Sequence, residues 1–347
     1  MVPNDSLGVV LKSRGLTLKA SKPFYANARY RDLRQAASLT AKGQAAEGKT
    51  FRIGAMPLPQ RNNSFVSRNL VTGIQATEDN TTVKIKDYNK NVEFEWGKSN
   101  NLNLNQDSLN IKLNEGETYV LSGYTDIQAN LEGFVGALIE SDKPIVVNTG
   151  NYLGTIGKNT GQDAGIDQIV PEENTGKKYA LVEGEGPAKQ EKVLVVANYD
   201  NTKVYLNGSS TPDKTLQAGG WYLIPNSFYT GGNHQNMFIR TSKPTYIYQM
   251  INGSSAANTI GMNFMAPLNC GLPKRVDQIP DITKIGNNAY NGNIIAFTKK
   301  GATLKVNGTT ETGAVPLNGN TNWESYKISG KTGDVKITST AALVSGF

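Results

Sequence analysis

The sequence is nearly free of cysteine and histidine, two side chains that often carry chemistry. It has one cysteine, Cys270, and one histidine, His234, in 347 residues. A single cysteine excludes an intrachain disulfide and does not report the redox compartment, and we expect Cys270 to be buried and inert. A single histidine excludes a metal site built from several imidazoles, and no G-x-S-x-G or Cys-His motif supports nucleophilic catalysis. The sequence therefore offers no histidine-rich metal site and no motif of nucleophilic catalysis.

Long apolar runs are also missing. Hydrophobic residues make up 38% and charged residues 19% of the chain, and the mean hydropathy is -0.41. No stretch approaches the roughly 18 apolar residues of a transmembrane helix, and the first residues lack the basic and then apolar pattern of a signal peptide. We expect a folded protein that is either cytoplasmic or a fragment of a longer, exported, extracellular chain lacking its signal peptide.

Turn-forming residues are abundant. The chain has 36 glycines and many asparagines, whereas runs of helix-favouring residues are scarce. This composition favours tight turns between short strands, and therefore an all-β fold. At about 150 residues per domain, the length allows one large domain or two to three ordinary ones.

Internal repeats are the most informative feature. An apolar strand reaching a Lys-Pro pair occurs around Pro23, Pro144 and Pro244, and a degenerate copy closes the chain. The first two copies lie 121 residues apart, which is also the distance between the hairpin residues Ile85 and Leu206. Because proline lacks a backbone N–H and biases its predecessor towards extended geometry, we predict a corner between two strands at each pair.

Two further elements repeat in the same order. Hairpins with an Asp-Asn turn occur at residues 79–80 and 200–201, and a glycine turn precedes an aromatic strand at Gly116, Gly219 and Gly319. Asparagine and glycine tolerate the positive φ that such turns need. We predict tandem β-sandwich units of about 100 residues: unit 1 at 48–171, unit 2 at 172–280 and unit 3 at 281–347, with a basic segment at 1–47 completing a preceding unit. The alternative is a closed, propeller-like ring of repeats in which the N-terminal strands complete the last unit.

Positive charge is concentrated at the N-terminus. Residues 1–61 hold eleven basic and three acidic side chains, but no nucleic-acid-binding motif accompanies them, so no nucleic acid is expected as a partner. Residues 43–50, from Gly43 to Thr50, match the phosphate-loop pattern G-x-x-x-x-G-K-[ST]. The stretch before them is polar and the stretch after them is broken by prolines, so we expect a turn before a strand and no nucleotide.

The remaining candidates are loop residues and acidic pairs. Exposed aromatic side chains beside amides suit stacking on sugar rings, and we expect such exposed loop positions, as candidates for ligand contact, at Tyr152, Tyr229, His234, Tyr290 and Trp323. Asp163 and Asp167 are candidate calcium ligands, although turn chemistry predicts the same residues. The pairs Glu93 with Glu95 and Glu183 with Glu185 are compatible with a glycosidase and equally with solvated strands.

Several stretches resemble the N-terminal domain family of the IgGFc-binding protein. They are residues 134–148, 165–171, 176–179, 195–202 and 263–270. The resemblance implies an extracellular, non-enzymatic module; bacterial members are similar to parts of very large cell-surface proteins, including gliding-motility adhesins exported by the type IX system. It carries over no catalytic residue and no immunoglobulin binding. Ser6 and Ser108, each in an Asp-Ser-Leu triplet, resemble O-glycosylation acceptors of gliding bacteria.

The leading hypothesis is an adhesin module for surface attachment or gliding, which binds a polysaccharide or glycoprotein through loops or the basic N-terminal face. The alternatives are a spacer or tip domain without a ligand of its own and a carbohydrate-active enzyme on a β-sandwich. We expect no cofactor other than calcium, and further domains of the same adhesin as partners.

Overall fold

The computed structural model consists of strands joined by turns and short 3-10 turns. It describes residues 6–32, 35–57, 70–95, 101–103, 107–123, 127–156, 163–186, 190–252, 260–269 and 271–346, so the prediction for Cys270 lies outside the described residues. The 3-10 turns include Gly43–Ala46, Gln128–Asn130, Glu172–Asn174 and Asn226–Phe228. The described ranges contain no α-helix, which confirms the all-β prediction. In that part of the chain, no helix has the length and apolarity that crossing a membrane requires.

The chain begins with three strands, β1 (Val10–Leu11), β2 (Asn27–Asp32) and β3 (Gln35–Thr40), of which β2 and β3 form an antiparallel hairpin. Three strand groups follow. The strands of the first group are β4 (Gly48–Arg52), β5 (Leu70–Ala76), β6 (Thr81–Lys86), β7 (Glu93–Glu95), β8 (Asn101–Asn103), β9 (Ser108–Leu113), β10 (Thr118–Gly123), β11 (Leu138–Gly154) and β12 (Asp163–Ile169). Strand β5 lies between β10 and β11, β6 pairs with β9 and β11, and β11 also pairs with β4 and β12. Strand β1 extends this sheet by pairing with β10.

The second group repeats this order of pairing. Its strands are β13 (Gly176–Val182), β14 (Lys192–Ala197), β15 (Thr202–Leu206), β16 (Lys214–Leu216), β17 (Trp221–Pro225), β18 (Asn236–Asn252) and β19 (Ile260–Phe264). Strand β14 lies between β17 and β18, β15 pairs with β16 and β18, and β18 also pairs with β13 and β19.

The third group is shorter but has the same arrangement. Its strands are β20 (Arg275–Ile279), β21 (Lys284–Ile285), β22 (Asn288–Ala289), β23 (Ile294–Lys299), β24 (Leu304–Val306), β25 (Thr309–Thr310), β26 (Val315–Pro316), β27 (Trp323–Ile328), β28 (Val335–Ser339) and β29 (Leu343–Gly346). Strand β23 lies between β27 and β29, and β24 pairs with β25 and β28.

The Lys-Pro pairs do not separate two strands in the first two groups. Pro144 and Pro244 lie inside β11 and β18, which are continuous strands of 17 residues each. The predicted strand break is therefore wrong there. The register of pairing shifts at these positions instead, between Glu140 and Ile145 in β11, so the strand changes partners where proline supplies no N–H. In the third group the corresponding strand is split into β28 and β29.

Turn chemistry agrees with the sequence. Asn80 and Asn201 each adopt a φ of 55° in the turns that join β5 to β6 and β14 to β15. Asn207 and Asn307 also have positive φ, of 47° and 49°. Asparagine adopts this left-handed conformation more readily than most residues, and the predicted hairpin turns are confirmed.

Apolar cores lie both inside the groups and between them. One cluster contains first-group side chains such as Phe51 and Ile74 together with second-group side chains such as Tyr246, Tyr248 and Met262. Another joins the second and third groups through Phe238, Leu317 and Trp323 among others. Buried contacts therefore cross the predicted unit bounds. Those bounds, and the alternative ring, stay predictions.

Candidate binding surface

Exposed apolar side chains are concentrated in the N-terminal segment. Six of the eight exposed large hydrophobic residues in the described part of the chain lie at positions 10 to 30: Val10, Leu16, Leu18, Phe24, Tyr25 and Tyr30. The other two are Tyr199 and Tyr290. Exposed apolar side chains in such a concentration are a candidate contact surface for a partner. The candidate surface therefore lies on the segment that also holds the excess positive charge.

The β2–β3 hairpin is attached to β12 by two buried carboxylates. The backbone N–H of Ala36 donates to Asp163 Oδ1 at 2.7 Å, and the ammonium of Lys42 donates to Asp167 Oδ1 at 2.8 Å. The other oxygen of Asp167 accepts from the backbone N–H of Phe264, at 2.9 Å. Asp167 thus links the N-terminal segment to the first and second strand groups.

Burial is the largest influence on the pKa of both carboxylates. It raises the pKa of Asp163 to about 6, against the opposing effect of two backbone N–H groups. It also raises the pKa of Asp167, and the charge of Lys42 counteracts this rise. The two residues stand four positions apart on one strand, which separates their backbones by about 13 Å, and no group of three or more His, Cys, Asp or Glu that could hold a metal occurs among the described residues. The geometry therefore gives Asp163 and Asp167 the role of anchors and lends no support to calcium.

A second contact connects the hairpin to residues 280–290. The Arg29 guanidinium donates to the backbone oxygens of Pro280 and Asp281, both at 2.6 Å. Two residues along β2, the guanidinium carbon of Arg31 lies 5.6 Å from the centre of the Tyr290 ring. Arg31 and Tyr290, which we call the Arg31–Tyr290 face, present a cation and an aromatic ring together to solvent.

The predicted ligand-contact residues are divided between core and surface. Tyr229, His234 and Trp323 are buried, with 3%, 8% and 4% of their surface exposed, so the expectation that they are exposed is wrong. They pack inside the second group or between the second and third groups, and His234 Nε2 lies 2.8 Å from the buried Ser325 Oγ. Tyr152 is half-buried on β11, and Tyr290 is exposed at 36%. A binding role stays a prediction for these last two.

The acidic pairs have protein partners. The Ser122 hydroxyl donates to Glu95 Oε2, the Asn226 amide donates to Glu183 Oε1 at 2.7 Å, and Lys327 pairs with Glu185 at 2.6 Å. Sequence reasoning missed Glu191, which is buried beside this second pair. Its carboxylate accepts from backbone N–H groups, and burial raises its pKa. Nothing in the local sequence distinguishes Glu191 from a surface glutamate.

The remaining predicted sites are ordinary elements of the fold. Residues 43–46 form a 3-10 turn and Gly48–Arg52 is strand β4. Lys49 is exposed on that strand, so the backbone N–H groups of residues 43–50 do not converge as in a phosphate loop. Ser6 and Ser108 are half-buried, and their glycosylation stays a prediction.

Comparison with known proteins identifies a family. A family model described as IgGFc binding protein matches residues 36–346, which includes all three strand groups. Searches of the curated proteins and of the solved structures each return no significant match.

Proposed function

Since the chain belongs to the IgGFc binding protein family, we propose that it is a non-enzymatic extracellular module of a large cell-surface adhesin. In this role it contributes to surface attachment or gliding motility and binds an acidic polysaccharide or glycoprotein on the opposing surface. Family membership supports a binding module and an extracellular location. The finer roles are our proposal from the surface of the molecule.

The Arg31–Tyr290 face carries the binding proposal. A tyrosine ring stacks on the apolar face of a sugar, and an adjacent guanidinium pairs with a carboxylate or sulfate on the same or the next sugar. Arg29 anchors the strand that presents Arg31, through hydrogen bonds to backbone oxygens of residues 280–284. The two halves of the face, which are about 260 residues apart in the sequence, are therefore held together before a ligand arrives.

The surroundings of the candidate carboxylates give a physical reason for proposing no reaction. The carboxylates of Glu95, Glu183 and Glu185 are engaged by Ser122, Asn226 and Lys327. A glycosidase needs two carboxyl groups on either side of a substrate-binding cleft. The partners of these three side chains are instead those of structural carboxylates.

The packing between strand groups favours a second candidate, a rigid spacer. The hydroxyls of Tyr246 and Tyr248 in the second group donate to the backbone oxygens of Val170 and Arg52, at 2.9 Å and 3.3 Å. Both tyrosines are fully buried in a core that the first two groups share. Such a junction fixes the relative orientation of the groups, which suits a spacer whether or not it also binds a ligand.

Binding of the purified chain to a glycan array and to whole cells tests the proposal. We expect saturable binding that persists at 0.3 M salt, and a loss of about tenfold in affinity for Tyr290→Ala. Tyr199→Ala is the matched control, because Tyr199 is another exposed tyrosine, with 44% of its surface exposed, and should bind like the unaltered chain. A chelator should have no effect.

The outcomes separate the two candidates. Equal binding by the Tyr290→Ala and Tyr199→Ala variants would refute the assignment to the Arg31–Tyr290 face. Complete absence of binding at low and high salt would favour the spacer. Binding that disappears at moderate salt would be nonspecific attraction by the basic segment.

A further inference from the structure

Residues 16–31 correspond in sequence to the long strands β11 and β18, but residues 16–26 lie outside any strand and β2 begins only at Asn27. Lys22-Pro23 corresponds to Lys143-Pro144 and Lys243-Pro244. Antiparallel pairing with the next strand includes the residue four positions after each proline: Asn27 with Thr40, Asn148 with Gln168, and Tyr248 with Phe264. The β2–β3 hairpin thus occupies the same place after its proline as the β11–β12 and β18–β19 pairs do after theirs.

The segment also contacts the next strand group in the same way. A Cβ atom on Gly15 would stand 2.7 Å from the carbonyl oxygen of Gly116, and one on Gly136 would stand 1.9 Å from that of Gly219. Gly15 and Gly136 each lie eight residues before the proline of their own strand. The close glycine contact between the first and second groups is therefore repeated between residues 15–31 and the first group.

The environment of the side chains is what differs. Leu16, Leu18 and Phe24 are 77%, 54% and 50% exposed. Their counterparts are buried in both groups: Ala137, just before β11, with Ile139 and Ile145 in β11, and Met237, Ile239 and Thr245 in β18, all 0% exposed. The exposed residues therefore occupy positions that this fold otherwise places in a core.

In the two complete groups, a β-hairpin pairs with the long strand that carries these positions. The hairpin β5–β6 pairs with β11, and β14–β15 pairs with β18. Each hairpin has an Asp-Asn turn whose aspartate carbonyl accepts from the lysine of the Lys-Pro pair: Asp79 from Lys143, and Asp200 from Lys243.

A second polar contact accompanies each lysine. The side chain just before the lysine accepts a backbone N–H from the second strand of the hairpin. The donor to Asp142 is Thr82, at 2.8 Å, and the donor to Ser242 is Lys203, at 2.9 Å. The equivalent side chains in the N-terminal segment are Ser21 and Lys22, and both are exposed.

We propose that residues 16–25 are an acceptor strand for a β-hairpin with an Asp-Asn turn, supplied by a β-module of this fold whose hairpin has no long strand of its own. The hairpin covers Leu16, Leu18 and Phe24, its turn carbonyl accepts from Lys22, and its second strand donates an N–H to Ser21. Addition of strands to an open strand provides main-chain hydrogen bonds for affinity and side-chain contacts for specificity. A second copy of this chain is not the donor, because its hairpins β5–β6, β14–β15 and β23–β24 already pair within their own groups.

A fusion of the full chain with one of its own hairpins tests this proposal. Residues 192–207, which contain β14, the Asp-Asn turn and β15, are attached ahead of residue 1 through a flexible Gly-Ser linker. The linker makes the encounter intramolecular, which compensates for the weak affinity of a single hairpin. We expect amide hydrogen exchange of residues 16–25 to slow at least tenfold relative to the chain without the fusion.

Variants of the fused chain and a scrambled fusion test whether protection of residues 16–25 depends on the proposed contacts. In the fused chain, Ser21→Ala combined with Lys22→Met should remove most of the protection. Lys12→Met, which alters an exposed lysine outside the acceptor strand, should retain it, and a fusion of the same residues in scrambled order should give none. Unchanged exchange in the fused chain would overturn the proposal. So would slow exchange of residues 16–25 in the unfused chain with concentration-dependent dimerisation, because a second copy would then cover the strand.

The acceptor strand and the Arg31–Tyr290 face are tested separately. The proposal does not depend on a glycan ligand, and the fused chain should show the same effect of Tyr290→Ala on cell-surface binding as the unfused chain. Failure of strand capture would leave that effect unchanged, and failure of ligand binding would leave the exchange result unchanged.

Discussion

Replacing Asp163 by asparagine should make the protein more stable at neutral pH. Burial raises the pKa of Asp163 to about 6 in the folded protein, from a usual value of 3.8. Between these two values the folded state binds the proton more tightly than the unfolded state, so the free energy of unfolding falls as the pH rises through that window. The difference of about two pH units, at about 1.4 kcal/mol each, corresponds to a cost of up to about 3 kcal/mol at pH 8.

Asparagine removes this titration and keeps the acceptor. Its Oδ1 can still accept the N–H groups of Ala36 and Ala164, which now donate to Asp163 at 2.7 Å and 2.9 Å. We therefore expect Asp163→Asn to exceed the unaltered chain in stability by up to about 3 kcal/mol at pH 8. The advantage should decrease steadily between pH 6 and pH 4.

Urea unfolding followed by fluorescence at pH 4, 5, 6, 7 and 8 measures this difference directly. Asp277→Asn is the control, because Asp277 is an exposed aspartate, with 45% of its side-chain surface exposed and an ion pair with Arg275. It should change stability by less than about 0.5 kcal/mol. If Asp163→Asn lowered stability at pH 8, or if its effect were the same at every pH, the carboxylate would be held in its charged form and the reasoning would be refuted.

Three further predictions concern the junctions. Tyr248→Phe should lower the free energy of unfolding, measured in urea, by about 1 kcal/mol, because it leaves the buried backbone oxygen of Arg52 without its donor. Gly136→Ala should lower the free energy of unfolding by at least about 2 kcal/mol, because the φ of Gly136 is 86° and the added Cβ would clash with the facing backbone. The control is Gly232→Ala, which should fold normally because the space around Gly232 is open. Lys42→Met should cost about 3 kcal/mol at pH 8, because Asp167 then has no buried cation. That loss should shrink as the pH falls and Asp167 binds a proton, and a pH-independent loss would contradict the ion-pair explanation.

The local parts of the fold could be predicted from the sequence. Asn80 and Asn201 sit in turns because asparagine tolerates positive φ, which is a property of the residue and its neighbours alone. The recurrence of the Lys-Pro pairs is visible in the sequence, but their geometry is not. The sequence shows that Pro144 and Pro244 lack an N–H, and it does not show that the strand continues by exchanging partners at that position.

The candidate site was harder to predict because it depends on contacts between distant segments. Tyr229 and Trp323 lie near polar, glycine-containing turns and look like exposed aromatics, yet apolar surfaces of other strands cover them. Tyr290 was identified for its residue type alone. Its neighbour Arg31 comes from a strand at the other end of the sequence, and single-sequence patterns do not report that proximity.

The core shared by the first and second groups has a mechanical consequence. A string of modules joined by loose linkers lengthens under a small pull, because the linkers straighten first. Here Tyr246 and Tyr248 of one group are buried against the other, so the boundary contains no loose linker that could straighten. Tension across this boundary is therefore borne by the shared core, which must rupture before the two groups can separate.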